Sequence, residues 1–224
     1  MRERTIMNQY THLIWDFNGT LYDDVEASIE SANRLLTAHG LAVLRSVEEY
    51  RASFGFPIVD YYRRLGFDFD ATPYEVLAPE WVAYYLECSK SAGLYPDVIS
   101  TLLWAKENGM KQLVLSATEV GMLDGQITSL GIRPYFDALL GLDNIHAHGK
   151  EEVGLVWREK NPDARPLMLG DTEHDAEVAA AMRADCILIA RGHQSRVTLE
   201  KCACLFVADT LAEVVERIRK FQKE

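Results

Sequence analysis

The sequence predicts an α/β fold, a parallel sheet with helices on both faces, into which an all-helical unit is inserted. Three observations carry this. Short apolar runs without a polar face recur along the chain and end in polar or glycine residues. Helix-length stretches separate them, as crossovers between parallel strands must. Between residues 22 and 93 the alternation stops and only helical segments follow one another.

The first strand is His12-Leu13-Ile14-Trp15, leading into Asp16. The helical block comes next, with segments Val25 to His39, Val47 to Phe54, Val59 to Gly66 and Tyr74 to Ser91. They are divided by Gly40, by Gly55-Phe56-Pro57 and by Thr72-Pro73, residues that stop and start helices. The alternation then resumes. A helix over Val98 to Glu107 precedes the strand Gln112 to Leu115, which ends at Ser116, and a helix over Glu119 to Leu130 precedes a weaker strand, Ala138-Leu139-Leu140. Helix Glu151 to Glu159, strand Pro166 to Leu169 ending in Gly170-Asp171, helix Ala176 to Met182 and strand Cys186 to Ile189 follow. A last strand, Cys204 to Val207, and a last helix, Leu211 to Phe221, complete the pattern. Ligands of such sheets sit beyond the C-terminal strand ends, where Asp16, Ser116 and Asp171 fall along one edge. The expected division is one core domain, 1–21 with 94–224, and a helical cap, 22–93.

Composition narrows the function. The 224 residues are 48% hydrophobic and 25% charged, enough apolar material for a sizeable core. Lys and Arg number 23 against 34 Asp and Glu, a formal charge of −11 that repels nucleic acid and anionic lipid. No nucleic-acid or membrane partner is expected. Clustered carboxylates can still hold a divalent cation, which then attracts an anionic substrate. The four cysteines, Cys88, Cys186, Cys202 and Cys204, match neither a zinc ligand set nor a disulfide framework, so packing as reduced thiols is expected, with Cys202 and Cys204 on one face of the last strand. Met1 to Asn8 are followed by no secretory apolar core, and no run approaches the roughly 20 residues of a membrane span. A cytoplasmic protein, monomer or homodimer, is expected.

Four segments carry chemistry. In Trp15-Asp16-Phe17-Asn18-Gly19-Thr20-Leu21 a buried strand delivers an Asp into a Gly-containing turn, which can set a carboxylate beside free backbone N–H groups, although a plain β-turn reads the same. Gly170-Asp171-Thr172-Glu173-His174-Asp175 can converge two carboxylates on a cation, or can simply be a helix start with acids in its first turn. Ser116, at a strand end, and Lys150, ahead of a helix, can each bind a phosphoryl oxygen, and either is bland alone.

In combination and in this order, the four segments resemble the haloacid dehalogenase superfamily, in particular its phosphoglycolate-phosphatase-like branch, with a helical cap inserted after the first motif of a Rossmann-like core. The resemblance covers nearly the whole chain, with weaker echoes at Leu94-Tyr95-Pro96, Leu130-Gly131-Ile132 and Arg191-Gly192-His193. It implies a Mg²⁺-dependent phosphatase of a small phosphorylated metabolite, with Asp16 as the nucleophile that forms an aspartyl-phosphate. It implies Mg²⁺ held by Asp16, the backbone carbonyl of Asn18, Asp171 and Asp175. Ser116 and Lys150 would hold phosphoryl oxygens, with Phe17, Asn18, Gly19 and Ala117 completing the cradle. Arg51, Phe54 and Gly55 would select the substrate from the cap.

The sequence departs from that pattern at Asn18, where most relatives carry a second Asp that protonates the leaving oxygen and activates water. A carboxamide does neither, because it does not titrate. Three readings stay open: turnover is weak; His148, Glu173, His174 or a cap residue supplies the proton; or the leaving group needs no acid, as in an acyl phosphate or pyrophosphate. The alternative to an enzyme is a phosphate-binding module on the same scaffold. Two further departures are Ala117, where relatives often have Asn, and the absence of Pro after Lys150. Paired aromatics in the insertion, Tyr61-Tyr62 and Tyr84-Tyr85, are expected to pack cap helices.

Overall fold

The computed structural model describes residues 10–143 and 149–221. Residues Met1 to Asn8, with His146 and His148, lie outside that set. Six parallel strands form the main sheet: β1 (His12–Trp15), β4 (Lys111–Glu119), β5 (Ala138–Leu142), β6 (Pro166–Gly170), β7 (Asp185–Ile189) and β8 (Val207–Ala208). Their spatial order is β5-β4-β1-β6-β7-β8. The chain runs outward from β1 in one direction, then crosses back and continues from β6 in the other. The place where the order reverses lies at β1, which is where open sheets of this kind bind ligands.

Two-sided burial explains why these strands read as unbroken apolar runs. Leu13 and Trp15 of β1, with Val114, Leu167, Leu169, Ile187 and Ile189, face one core cluster. Helices α5 (Val98–Glu107), α6 (Val120–Ser129) and α10 (Leu211–Phe221) cover that face through residues such as Leu102, Ile127 and Val214. The alternate residues Ile14, Leu113, Leu115, Met168 and Leu188 face a second cluster. Helices α7 (Glu151–Lys160) and α8 (Glu173–Ala181) cover this face, through Trp157, Val178 and their neighbours.

The insertion holds helices α1 (Val25–Ala38), α2 (Val47–Ser53), α3 (Ile58–Arg64) and α4 (Tyr74–Cys88) around a third cluster that includes Leu35, Leu36, Tyr50, Tyr62 and Leu77. Its helix starts follow from the sequence: Ser46 caps α2 by accepting from the Glu49 amide, and prolines precede α3 and α4.

Three details depart from the sequence expectations. A two-stranded antiparallel ribbon, β2 (Tyr22–Asp23) and β3 (Gly93–Leu94), joins the insertion to the sheet, and two-residue strands carry no periodic signal. Strand β4 does not end at Ser116 but continues to Glu119 through a register irregularity after Leu115. There the Ser116 hydroxyl accepts from the Thr118 amide at 3.1 Å, a local turn contact that bends the strand without ending it. The last strand is Val207–Ala208 rather than Cys204 to Val207. Cys202 and Cys204 sit in bends after α9 (Arg196–Leu199), half-buried against the second cluster, where the Cys202 amide still bonds back to Leu199. The run still bonds to β7, through the Leu205 amide to the Cys186 carbonyl at 2.7 Å and the Leu188 amide to the Phe206 carbonyl at 3.2 Å, but regular pairing starts only at Val207.

Candidate active site

Strand register brings the sequence motifs together. Trp15 pairs with Val114 on one side and Leu169 on the other, so Asp16, Ser116 and Asp171 emerge at the same level of the same sheet edge. The amide of Asp16 still bonds to the carbonyl of Leu169 at 2.8 Å, which ties the carboxylate to the strand end.

Lys150, just before α7, is 3% exposed and lies among carboxylates. Its ammonium donates to Asp16 Oδ1 and to the Leu115 carbonyl at 3.1 Å, and it pairs with Asp175 Oδ1 at 2.6 Å. Asp175 is also part of a capping box at the start of α8: its Oδ2 accepts from the amide and hydroxyl of Thr172 at 2.9 and 2.7 Å and from the Asp171 amide at 3.1 Å. Helix start and carboxylate cluster are thus one structure. Asp171 accepts from the Thr20 hydroxyl at 3.2 Å and the His193 amide at 2.6 Å.

Ligand atoms of Asp16, Asp171 and Asp175 lie within 4.8 Å of one another, all three residues buried. Burial, opposed by Lys150, pushes the Asp16 carboxyl well above the usual carboxylate range. Burial likewise pushes Asp171 up to about 6 despite nearby His193. Asp175 goes the other way, because Lys150 and the Thr172 donors outweigh its burial. Lys150 stays firmly charged: burial works against its ammonium, but Asp16 and Asp175 together raise it. Three carboxylates face one ammonium, and this excess of negative charge on hard oxygen donors suits a divalent cation such as Mg²⁺.

Two glycines permit the approach. Gly19 has φ +70°, and a Cβ there would come within 2.3 Å of Asp171 Oδ2; at Gly192 the distance would be 2.0 Å. Any side chain at either position would displace the carboxylate.

Asn18 stands at the centre of a second network. Its Nδ2 donates to Asp24 Oδ2 and to the Tyr85 hydroxyl, each at 2.7 Å, and its Oδ1 accepts from the Thr118 hydroxyl at 3.0 Å. Asp24, 1% exposed, also accepts from the Gly19 amide at 2.9 Å and the Tyr85 hydroxyl at 2.7 Å. His193 Nε2 lies 3.3 Å from Asp24 Oδ1, and its Nδ1 lies 2.8 Å from the Tyr50 hydroxyl. The two groups fix each other's charge. His193, although burial opposes it, is raised to about 9 by the Asp24 carboxylate, and Asp24, although burial opposes it, is lowered by His193.

A cavity of about 140 Å³ opens between the cap helices and this edge, lined on the sheet side by Asp16, Asn18, Ser116, Ala117, Lys150 and Asp171. Phe54 also lines it. Arg51 does not: its guanidinium donates to the carbonyls of Gly192 at 2.9 Å and Arg191 at 2.7 Å, tying α2 to the loop after β7. Gly55 lies by Arg64, Glu173 and Gln194. The Gly19 amide, expected in the phosphate cradle, is taken by Asp24 and the Tyr22 carbonyl. Glu173 and His174 are not among the lining residues; Glu173 bonds Gln194 and His174 stacks on Phe56 at 4.5 Å. The structure adds Asp24, Tyr85, Thr118 and His193 to the site. His193 falls in one of the weaker echoes of the sequence, whereas Tyr85, expected to pack cap helices, turns its hydroxyl to Asn18 and Asp24; Asp24 holds the N-cap position of α1 but makes no cap bond, and turns to Asn18 instead. Among the described residues no helix is long and apolar enough to cross a membrane.

The family model of haloacid dehalogenase-like hydrolases matches residues 13–189. A phosphoglycolate phosphatase from Rhodobacter capsulatus is 26% identical over 188 residues, covering 81% of this chain and 85% of that protein. One from Nitrosococcus oceani is 24% identical over 218 residues, covering 93% and 96%. A solved haloacid dehalogenase-like hydrolase from Streptococcus pneumoniae superposes with a TM-score of 0.81 at 17% identity over 93% of this chain and 98% of that one.

Proposed function

Because the chain belongs to the haloacid dehalogenase-like hydrolase family, we propose that it is a Mg²⁺-dependent phosphatase of a small phosphorylated metabolite, acting through an aspartyl-phosphate on Asp16. The observation that carries this reading is the Asp16 carboxylate at the end of β1, lining the cavity with Lys150 and Asp171, paired with buried Lys150 and clustered with Asp171 and Asp175. Asp16, Asp171, Asp175 and the backbone carbonyl of Asn18 would hold Mg²⁺, which when bound neutralises phosphoryl charge and orients the ester.

The remaining steps belong to the protein. An Asp16 oxygen attacks phosphorus, the bond from phosphorus to the ester oxygen breaks, and the leaving oxygen keeps the electron pair. Lys150 and Ser116 bind the phosphoryl oxygens, aided by the Phe17 and Asn18 backbone and Ala117, and lower the cost of the charge that builds there. Water then attacks phosphorus and the bond from phosphorus to the Asp16 oxygen breaks, its electron pair restoring the Asp16 carboxylate; the water's proton leaves on the inorganic phosphate, because Asn18 cannot take it. Asn18 cannot protonate the leaving oxygen, so leaving groups that depart as stable anions are favoured.

The test is phosphate release from acetyl phosphate and p-nitrophenyl phosphate with Mg²⁺ or EDTA, in wild type and Asp16→Asn. Turnover that needs both Mg²⁺ and Asp16 supports the reading. The untitratable Asn18 also favours a second one, a phosphate-binding module. Absence of all turnover, with Mg²⁺-dependent phosphate binding intact, would select it.

A further inference from the structure

We propose that the ligand is a monocyclic aryl phosphate, an ester of a phenol-type hydroxyl whose ring carries a hydrogen-bond acceptor, seated in the cap with its phosphoryl group on Asp16. This rests on the phosphatase reading and names its substrate class. Three independent features point there.

The first is the wall opposite Asp16. From Val25 onward, every cap residue that lines the cavity is uncharged, and the wall is largely aromatic, including Phe54, Phe56, Tyr61, Tyr62 and Trp81. Arg51 is held by two carbonyls outside it, and Arg64 donates to the Ser53 carbonyl at 2.6 Å. A ligand with a carboxylate beyond its phosphate, such as 2-phosphoglycolate, would find no cation on that wall, and the His193 imidazole that also lines the cavity is already paired with Asp24. A flat ring meets edge-to-face and offset partners instead.

The second feature is a pair of orphaned donors. The Tyr61 hydroxyl and the Trp81 indole N–H are buried and have no hydrogen-bond partner among the described residues, although both side chains line the cavity. Buried donors of this kind cost stability unless something accepts from them. A carbonyl, ether or hydroxyl oxygen on the ligand ring would do so.

The third is Asn18. Phenols ionise near pH 10, as tyrosine does, several units below an aliphatic alcohol, so a phenolate leaves without the carboxylic acid this site lacks. The aromatic wall and the missing acid thus ask for the same leaving group.

Binding separates ring recognition from leaving-group chemistry. Calorimetry on Asp16→Asn with Mg²⁺ would compare phenyl phosphate, 4-acetylphenyl phosphate, ethyl phosphate and 2-phosphoglycolate. We expect phenyl phosphate to bind at least tenfold tighter than ethyl phosphate or 2-phosphoglycolate, and 4-acetylphenyl phosphate tighter again. Tyr61→Phe should remove the gain from the acetyl group and keep the ring preference, and Trp81→Ala should reduce both. Equal or tighter binding of 2-phosphoglycolate would overturn the proposal, as would a ring preference unaffected by Trp81→Ala. Turnover is read separately in wild type: its absence would overturn the phosphatase reading, while the order of affinities in Asp16→Asn alone decides the ligand class.

Discussion

Asn18 Nδ2 donates to Asp24 Oδ2 across 2.7 Å, so the carboxamide fills a position where a carboxylate would face another buried carboxylate. The departure at residue 18 is therefore matched by its surroundings: Asp24 needs a donor there, and Thr118 and Tyr85 complete the set.

The substitution Asn18→Asp tests both sides of that relationship. It places two carboxylates within hydrogen-bond distance, and such pairs share a proton, which raises one pKa. The new carboxyl would thus be protonated at higher pH than an ordinary Asp and could protonate a leaving oxygen. General acid help is worth roughly 10²-fold or more. Turnover of ethyl phosphate should rise at least tenfold, and that of acetyl phosphate should change little. The gain should fade as pH rises through the raised pKa, seen as a descending limb in kcat/KM. An unchanged ethyl phosphate rate, in a variant that still melts cooperatively, would mean that the missing acid does not limit the protein.

The His193–Asp24 pair predicts a pH-dependent stability in metal-free protein. His193 is raised from its ordinary 6.5 to about 9, so its contribution is complete below about pH 6.5 and is lost as pH rises through 9. Asp24 is lowered, so its contribution is present above its unfolded pKa and is lost as pH falls below it. Converted at 1.36 kcal/mol per unit, the His193 shift corresponds to on the order of 3 kcal/mol. With EDTA present, wild type should lose stability between pH 6.5 and 9.5 more steeply than His193→Gln. Urea melts across that range measure it, and parallel curves would remove the charge from His193.

Most of the fold could be read from the sequence because it rests on burial. Strands such as Ile14 between Leu13 and Trp15 are covered on both faces, and a run with no polar side records that directly. The helices of the insertion showed through Gly40, Gly55-Phe56-Pro57 and Thr72-Pro73. The ribbon at Tyr22–Asp23 did not, since two residues give no period. At the site, Asp16, Ser116, Lys150, Asp171 and Asp175 were picked out through the order of motifs that resembles the family pattern, and the structure brings Asp16, Lys150, Asp171 and Asp175 into one buried cluster. Arg51 misled because its charge suggested a ligand, while its actual partners are two carbonyls, which leave no mark in a sequence. The partnership of Asn18 with Asp24, Tyr85 and Thr118 spans the start of α1, α4 and β4, so no local pattern could show it.

Lys150 should matter to folding as well as to phosphate. It is the ammonium between Asp16 and Asp175, and all three are nearly inaccessible. Removing one partner of a buried pair costs about 3–5 kcal/mol, because the other charge is left without compensation. Lys150→Met should therefore lower the urea midpoint markedly at pH 7.5. Part of that loss should return at pH 5, below the value of about 6 to which Asp171 is raised, where that carboxyl takes up a proton and no longer needs a counter-charge. Equal losses at both pH values would argue that the carboxylates are not under mutual strain.

Gly192 offers the sharpest test of the metal cluster, because its effect is steric and confined. A Cβ there would sit 2.0 Å from Asp171 Oδ2, and the next residue donates its amide to the same oxygen at 2.6 Å. Gly192→Ala must push the Asp171 carboxylate away from Asp16 and Asp175 while leaving those two in place. A cation that binds only the folded state raises stability by about 2.7 kcal/mol at a hundredfold excess over its Kd. Wild type should accordingly melt several degrees higher in saturating Mg²⁺ than in EDTA, and Gly192→Ala should lose most of that difference while keeping its far-UV spectrum. A full Mg²⁺ shift in Gly192→Ala would remove Asp171 from the ligand set, and no shift in wild type would remove the metal site itself.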